Sequence, residues 1–243
     1  IESGVEITTI ADIPGQGTGL GSSSSVTVGL LNAMHAFQGR RVSKEQLAEE
    51  ACQIEIDILG APIGRQDQYA ASFGGVNSIR FGENGVQVEP IEVSEGLSKK
   101  FSENFTLVFT GLTRSASKVL SEQSDDESDK NSRMTEIRKH ADEAASHIEH
   151  GDLDSLGAIL NQTWISKRGV SSMVTNTQID DLYERVISSG ALGAKLLGAG
   201  NGGFLLVCGN RQLRGILQRE LGEGHRMFPL EIDFSGSSII FGT

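Results

Sequence analysis

The sequence predicts an α+β protein, in which strands and helices occupy separate stretches of the chain. Three observations support this fold class. Apolar residues recur at helical spacing in several segments, and short apolar runs bounded by glycine have the pattern of strands. In addition, three consecutive helical segments, near residues 133–149, 153–168 and 177–189, fall between strands of the second half. No internal repeat is evident.

The first hundred residues predict two strand regions around a helical block. A loosely alternating segment from Val5 to about Ile13 predicts a strand. A helix is expected from about Ser23 to Phe37, and a second from Lys44 to Leu59, because Ser43 and Gln46 form a capping box. Residues 76–81 and 86–93 predict a hairpin, and the polar stretch 94–104 predicts a connector. We therefore place a domain boundary near residue 100, giving domains 1–100 and 101–243.

The second half begins with an apolar strand, residues 105–112, and continues into an acidic loop at 124–131 and the three helical segments. Two strand-like runs then flank a glycine cluster within residues 194–209. The remaining elements are a helix near 210–221 and strands near 228–234 and 238–241.

Composition excludes several classes of function. The net charge of −11 argues against a nucleic-acid or anionic-membrane partner, because either needs a basic face. No apolar run reaches the roughly 18–20 residues of a membrane span. Cys52 and Cys208 lie in apolar patterns, which favours a reducing, cytoplasmic compartment. Glycine is the unusual residue, with 30 in 243, against an average share of about 7%.

Many of these glycines fall in two clusters, of which the first follows the predicted strand and precedes a helix. Four alternating glycines let the backbone approach a ligand closely, and the helix start offers N–H groups to an anion. Any of the serines in Ser22–Ser25 could also ligate a magnesium ion carried by phosphates. A Walker A loop is excluded because no lysine occurs between Ile1 and Arg41. A dinucleotide fingerprint is excluded because position 22, where it needs a third glycine, is a serine. The alternative is a turn that only caps the helix.

The second cluster matches the spacing Gly-x-Gly-x-x-Gly at Gly198, Gly200 and Gly203. Because the strand-like run Phe204–Val207 follows it, we interpret it as a hairpin tip and not as a dinucleotide site. Its glycines allow either close approach by a ligand or another backbone segment, or a tight β-turn packed against a neighbour.

Two carboxylates stand out. Glu55 has apolar neighbours at helical spacing on both sides, so it is expected to be buried and to need either a salt bridge, for instance to Arg65, or a cation. Asp67 lies near the start of a short helix and could cap it. Alternatively, Arg65 could hold a phosphate beside Asp67, which would then accept a hydroxyl proton during phosphoryl transfer.

Three segments together resemble the GHMP kinases, the family of galactokinase, homoserine kinase and mevalonate kinase. Pro14–Ser25 is similar to the second motif of that family, Lys195–Gly203 to its third motif, and Gly64–Tyr69 to its catalytic-aspartate segment. The resemblance extends over essentially the whole chain, in this order.

Within the family, the bacterial D-glycero-D-manno-heptose 7-phosphate kinases are the most similar group. Gly19–Ser25, Pro62–Tyr69 and Thr110–Ser117 carry that likeness. The resemblance implies an N-terminal domain like ribosomal protein S5, here truncated, and a ferredoxin-like C-terminal domain with inserted helices. It also implies ATP-dependent phosphoryl transfer to the anomeric hydroxyl of a sugar phosphate, with ATP and Mg²⁺ as cofactors, and it allows a homodimer.

The resemblance also implies residue roles. Ser23 and Glu55 match the magnesium ligands, and Asp67 matches the catalytic base. Arg65 is our own addition, on position alone, as a group that neutralises a phosphate. The expected ATP-phosphate loop comprises Gly17, Thr18, Gly19, Leu20, Gly21, Ser22, Ser23, Ser24 and Ser25. The expected substrate loop, which braces it and borders the sugar, comprises Gly198, Ala199, Gly200, Asn201 and Gly202.

Nothing in the sequence matches the family's first motif, which contributes to sugar binding. The chain is therefore expected to be a fragment of a kinase. Two alternatives stay open: a GHMP kinase for another substrate, such as galactose, fucose or mevalonate, and a non-catalytic regulator that binds nucleotide.

Overall fold

A computed structural model describes residues 4–11, 17–113, 127–171 and 173–241, with only the backbone described at residues 127–130. Contacts divide the chain into two compact units. The first contains the described parts of Ile1–Gln16, Gly21–Gly75 and Asp233–Thr243, and the second contains Gly17–Leu20 and the described parts of Val76–Ile232. Each unit is taken by itself below.

The first unit is helical. Helix α1 covers Ser22–Phe37, α2 covers Lys44–Cys52 and continues as a π-helical segment at Gln53–Ile58, and α3 covers Gln66–Phe73. The predicted N-cap is confirmed, since the Ser43 hydroxyl accepts a hydrogen bond from the backbone N–H of Gln46. The reciprocal half of the capping box is not formed, because the Gln46 side chain donates to Glu50 at 2.7 Å. A small core joins the helices through Val28, Leu47, Ala51, Leu31, Val42 and Ala71.

The second unit opens with a hairpin of β1 (Val76–Gly82) and β2 (Gly85–Ile91), then α4 (Glu95–Asn104) and β3 (Phe105–Phe109). Its helices α5, α6 and α7 cover Glu127–His150, Leu153–Arg168 and Thr177–Ser188. Strands β4 (Gly193–Leu196) and β5 (Phe204–Cys208), helix α8 (Leu213–Leu221) and strand β6 (Met227–Pro229) follow. The four-stranded sheet has the order β4-β5-β3-β6, and every pairing in it is antiparallel.

Alternation along these strands gives the sheet two apolar faces. On one face Val108, Leu196 and Leu205 pack with residues of α7 and α8, and on the other Phe105 and Cys208 pack with residues of α4 and α6. Helices therefore cover both faces of the sheet.

The α+β class is confirmed, and three local predictions are wrong. Residues 4–11 form no strand, since no other strand of the described chain pairs with them, and Ile10 is fully exposed. The expected connector at 94–104 is helix α4, capped by the Ser94 hydroxyl, which accepts from the Leu97 N–H. Residues 238–241 are not a strand.

Two expectations concern segments that the structure covers in part or does not test. The acidic loop at 124–131 lies outside the described residues up to 126, and from Glu127 the chain is already helix α5. The domain boundary near residue 100 stays a prediction. No helix in the described part of the chain is long and apolar enough to cross a membrane.

Candidate functional site

The glycine-serine segment has the backbone expected of a loop that wraps a ligand. Gly17, Gly19 and Gly21 adopt left-handed conformations, with φ of 72°, 74° and 67°. Helix α1 begins directly after them, with Gly21 at its N-cap, no side-chain capping hydrogen bond and no acidic residue in its first turn. The partial positive charge of the helix start is thus not compensated by a carboxylate of its own first turn. The alternative of a loop that only caps the helix lacks a capping hydrogen bond.

Glu55 is buried, as predicted, and is only 3% exposed. Its carboxylate accepts three hydrogen bonds: from Ser23 Oγ to Oε1 at 2.6 Å, from Ser24 Oγ to Oε2 at 2.8 Å, and from Gln68 Nε2 to Oε2 at 2.7 Å. The proposed salt bridge to Arg65 is wrong. Arg65 pairs with Glu49 and lies over the ring of Tyr69.

The π-helical segment explains how α2 presents Glu55. A π turn inserts an extra residue per turn and rotates the following side chains relative to a continuous α-helix. Glu55 is the one buried residue of Gln53–Ile58. Apolar spacing predicted the burial of Glu55, but it carries no signal for the π turn.

Asp67 is the second residue of α3 and makes no capping hydrogen bond for that helix. It accepts a hydrogen bond from the side chain of Gln66 at 3.2 Å. A Cβ atom on Gly21 would lie 3.3 Å from both Cβ and Cγ of Asp67, so the aspartate packs against the start of α1. The first unit therefore brings Gly21, Ser23, Glu55 and Asp67 together.

In the second unit, the glycine cluster is the tip of the β4–β5 hairpin, as predicted, and it contacts residues 17–20. The Phe204 N–H donates to the Thr18 carbonyl at 3.1 Å. A Cβ atom on Gly198 would lie 2.5 Å from the Cα of Gly19, so only a glycine fits there. The same argument applies to Gly203 against the Thr18 carbonyl.

Asn201 shapes the rest of this tip. It has φ of 58°, its N–H donates to the Val174 carbonyl at 2.7 Å, and its side chain accepts from Asn176 Nδ2 at 2.5 Å. Asn201 therefore ties the hairpin tip to the segment around Val174 and Asn176 in the same unit.

Two residues near the predicted site were missed by sequence reasoning. Gln68 is fully buried and donates to Glu55, and its own Oε1 has no hydrogen-bond partner among the described residues. Lys167, on the last turn of α6, donates to the carbonyl oxygens of Leu196, at 3.4 Å, and Gly198. Burial, and secondarily the charge of Lys195, lowers the pKa of Lys167 to about 7. No spacing rule links these two side chains to the glycine loops.

The donor set fits magnesium shared with phosphates. The described residues contain no group of three or more His, Cys, Asp or Glu side chains that could enclose a metal. Ser23 Oγ and Glu55 Oε1 are hard oxygen donors 2.6 Å apart. Magnesium at a phosphate site commonly uses one or two protein oxygens and takes its other ligands from phosphates and water.

Comparison with known proteins places this architecture in a family. The model of the GHMP kinases N terminal domain matches residues 1–75, and the model of the GHMP kinases C terminal domain matches residues 144–224. The chain belongs to the GHMP kinase family. Residues 14–16 and 114–117 of the stretches that suggested this family lie outside the described residues.

Three relatives illustrate the range of similarity. The chain is 33% identical to a D-glycero-alpha-D-manno-heptose 7-phosphate kinase of Campylobacter jejuni, over 81% of this chain and 59% of that protein. It is 34% identical to a mevalonate kinase of Aeropyrum pernix, over 77% of this chain and 56% of that one. The crystal structure of a D-glycero-D-manno-heptose 1-phosphate kinase from Bacteroides thetaiotaomicron matches with a TM-score of 0.70 at 23% identity, over 91% and 62% of the chains, and shares the fold. The chain thus spans less than two thirds of each.

Proposed function

We propose that this chain carries the catalytic site of a sugar kinase, which transfers the γ-phosphoryl group of ATP to the anomeric hydroxyl of D-glycero-D-manno-heptose 7-phosphate. One observation carries the proposal. A hydroxyl and two carboxylates, from Ser23, Glu55 and Asp67, gather around the glycine that starts helix α1. That combination supplies a cation site, an anion site and a proton acceptor.

Residues Gly17–Ser25 bind the triphosphate in this proposal. Left-handed glycines bring backbone N–H groups close to a ligand, and the N-terminus of α1 favours negative charge. The hairpin tip Gly198–Gly202 holds the Thr18–Gly19 part of the loop through backbone contacts. A loop fixed before the ligand arrives loses less entropy on binding.

Ser23 Oγ and Glu55 Oε1 hold Mg²⁺. Of the two carboxylate oxygens, Oε2 accepts hydrogen bonds from Ser24 and Gln68, whereas Oε1 accepts one, from Ser23, among the described residues. The Ser23–Oε1 edge is therefore the one that faces the cation. When bound, the metal neutralises charge on the phosphates of the donor.

Asp67 accepts the proton of the acceptor hydroxyl as the new bond to phosphorus forms and ADP leaves. Its carboxylate has no ion-pair partner among the described residues, and it accepts a hydrogen bond from the side chain of the neighbouring Gln66. Arg65 is already paired with Glu49, so a phosphate contact by Arg65 requires that ion pair to open.

The acceptor is the finer part of the proposal. Identity does not separate a heptose phosphate from mevalonate, because the two relatives are 33% and 34% identical to the chain. The heptose acceptor rests on the stretches Gly19–Ser25 and Pro62–Tyr69. ADP release should be measured with the heptose 7-phosphate, galactose, fucose and mevalonate in parallel, and preference for any of the last three overturns the heptose assignment.

The role of Asp67 is tested by Asp67→Asn. Loss of a general base lowers turnover by roughly 10²–10⁴-fold, whereas calorimetric binding of MgATP should be nearly unchanged. Asp57→Asn is the matched control, since Asp57 is exposed on the π-helical segment of the same unit, and it should leave turnover at the wild-type level. Unchanged turnover in Asp67→Asn contradicts the proposed role. MgATP binding without turnover for any acceptor would instead indicate a nucleotide-binding regulator.

A further inference from the structure

Two lysines lie at the base of the hairpin tip in the second unit. Lys167 occupies the last turn of α6. It lies on the same helix face as Leu156 and Leu160, at helical spacings of eleven and seven residues, and these two leucines pack on the sheet face that carries Leu206. Lys195 is the cross-strand partner of Leu206 in β4 and points to that same face, because Ala194 and Leu196 belong to the opposite core. Both ammonium groups therefore lie on the α6 side of the sheet.

Neither lysine has an acidic partner in the part of the chain that the structure describes. The described part of the chain contains no carboxylate within 4.0 Å of either ammonium group, and Lys195 makes no hydrogen bond there. Both side chains are half-buried. Burial without a counter-ion disfavours charge, and it lowers the pKa of both lysines. The charge of Lys195 also helps to lower the pKa of Lys167, so the two ammonium groups are close enough to repel each other.

The two lysines are close to the expected phosphate loop. Lys167 donates to the Gly198 carbonyl, and Gly198 is packed against Gly19. Lys167 could in principle serve only to fix the hairpin tip. Lys195 has no such role, because it donates no hydrogen bond to a carbonyl of the described residues. Its cross-strand partner is the apolar Leu206.

We propose that Lys167 and Lys195 form a subsite for a phosphoryl group. This inference rests on the proposed kinase function, which supplies two sources of that group: the nucleotide and the phosphate already present on the acceptor. Two ammonium groups match the charge of a phosphate dianion, and charge-assisted hydrogen bonds to it offset the cost of burying them. Because burial lowers the pKa of both lysines, a bound phosphate dianion would also favour their protonated forms.

The informative variant is Lys195→Met, which keeps the aliphatic stem and removes the charge. Titration calorimetry with inorganic phosphate should show affinity reduced by about 10- to 100-fold, the range for losing one hydrogen bond to a charged group. The melting temperature without ligand should stay the same or rise, because a buried unpaired charge is gone. Lys139→Met is the control: Lys139 is exposed on α5, and its loss should leave phosphate affinity unchanged.

Competition identifies the source of the phosphoryl group. If saturating MgADP abolishes phosphate binding, the subsite serves the nucleotide, and if phosphate still binds, it serves the acceptor. Lys167→Arg should retain phosphate binding, and Lys167→Met should lose it. Wild-type affinity for phosphate, ATP and heptose 7-phosphate in Lys195→Met overturns the subsite. Phosphate binding is measured without turnover, so the subsite and the kinase activity are tested separately. The subsite can be wrong while the kinase assay succeeds, and the kinase activity can be absent while phosphate binds.

Discussion

The contact between Gly198 and Gly19 makes a quantitative prediction for Gly198→Ala. Gly198 has φ of 64°, a conformation that costs an L-residue roughly 1–2 kcal/mol. The new Cβ would also lie 2.5 Å from the Cα of Gly19, whereas ordinary contact starts at 3.4 Å. The two backbones must therefore separate by about 0.9 Å. A displacement near 1 Å at a positioned site costs on the order of 10²-fold in function.

Gly39→Ala separates backbone strain from this collision. Gly39 has φ of 71° and nothing within 4 Å of an added Cβ. Urea unfolding should show a loss of about 1–2 kcal/mol for Gly39→Ala and a larger loss for Gly198→Ala. Calorimetry should show weaker MgATP binding, by about 10-fold or more, only in Gly198→Ala. Equal effects of the two substitutions on stability and on binding would refute the bracing role of the hairpin tip.

Two further predictions concern charge. Glu55→Gln removes the anionic oxygen beside Ser23, so Mn²⁺ should bind about 10-fold or more weakly in the presence of ATP. Electron paramagnetic resonance measures this binding, and the control Asp57→Asn should bind Mn²⁺ normally. Unchanged binding in Glu55→Gln excludes Glu55 as a ligand. The second concerns Lys167, whose pKa is about 7 when folded and 10.5 in its ordinary state. The unfolded chain then binds more protons above pH 7, so wild-type stability should rise with pH relative to Lys167→Met, by at most about 1.4 kcal/mol per pH unit. Urea unfolding between pH 6.5 and 8 measures this difference in stability, in a pH range where the two cysteine thiols stay mostly protonated. If the stabilities of wild type and Lys167→Met change with pH in parallel, the prediction is wrong.

Local spacing rules predicted the described helices other than α4, and the burial of Glu55. Ser43 and Gln46 set the start of α2. Of the apolar neighbours that predicted the burial of Glu55, Ala51 and Cys52 are buried, whereas Ile58 and Leu59 are exposed. These predictions hold because they depend on residues within one or two turns of each other. The position of the hairpin tip also followed from local order, since an apolar strand comes directly after the glycines.

Pairings between distant segments could not be predicted in this way. The segment around Ile10 has an alternating pattern, but a strand forms only where a neighbouring strand completes its hydrogen bonds. Helix α4 was overlooked because its surface is polar, although Leu97 and Phe101 lie four residues apart and pack on the sheet. Gln68 contacts Glu55 from another helix, and Glu55 itself lies in a π turn, for which a single sequence carries no signal.

The central claim is that this site transfers phosphate to the anomeric carbon of a heptose 7-phosphate. Phosphorus NMR of the chain with MgATP and D-glycero-D-manno-heptose 7-phosphate tests it directly. The account predicts a new phosphate resonance coupled to the anomeric proton, growing in step with ADP and abolished in Asp67→Asn. A sample in which MgATP binds but no anomeric phosphate forms would contradict the claim.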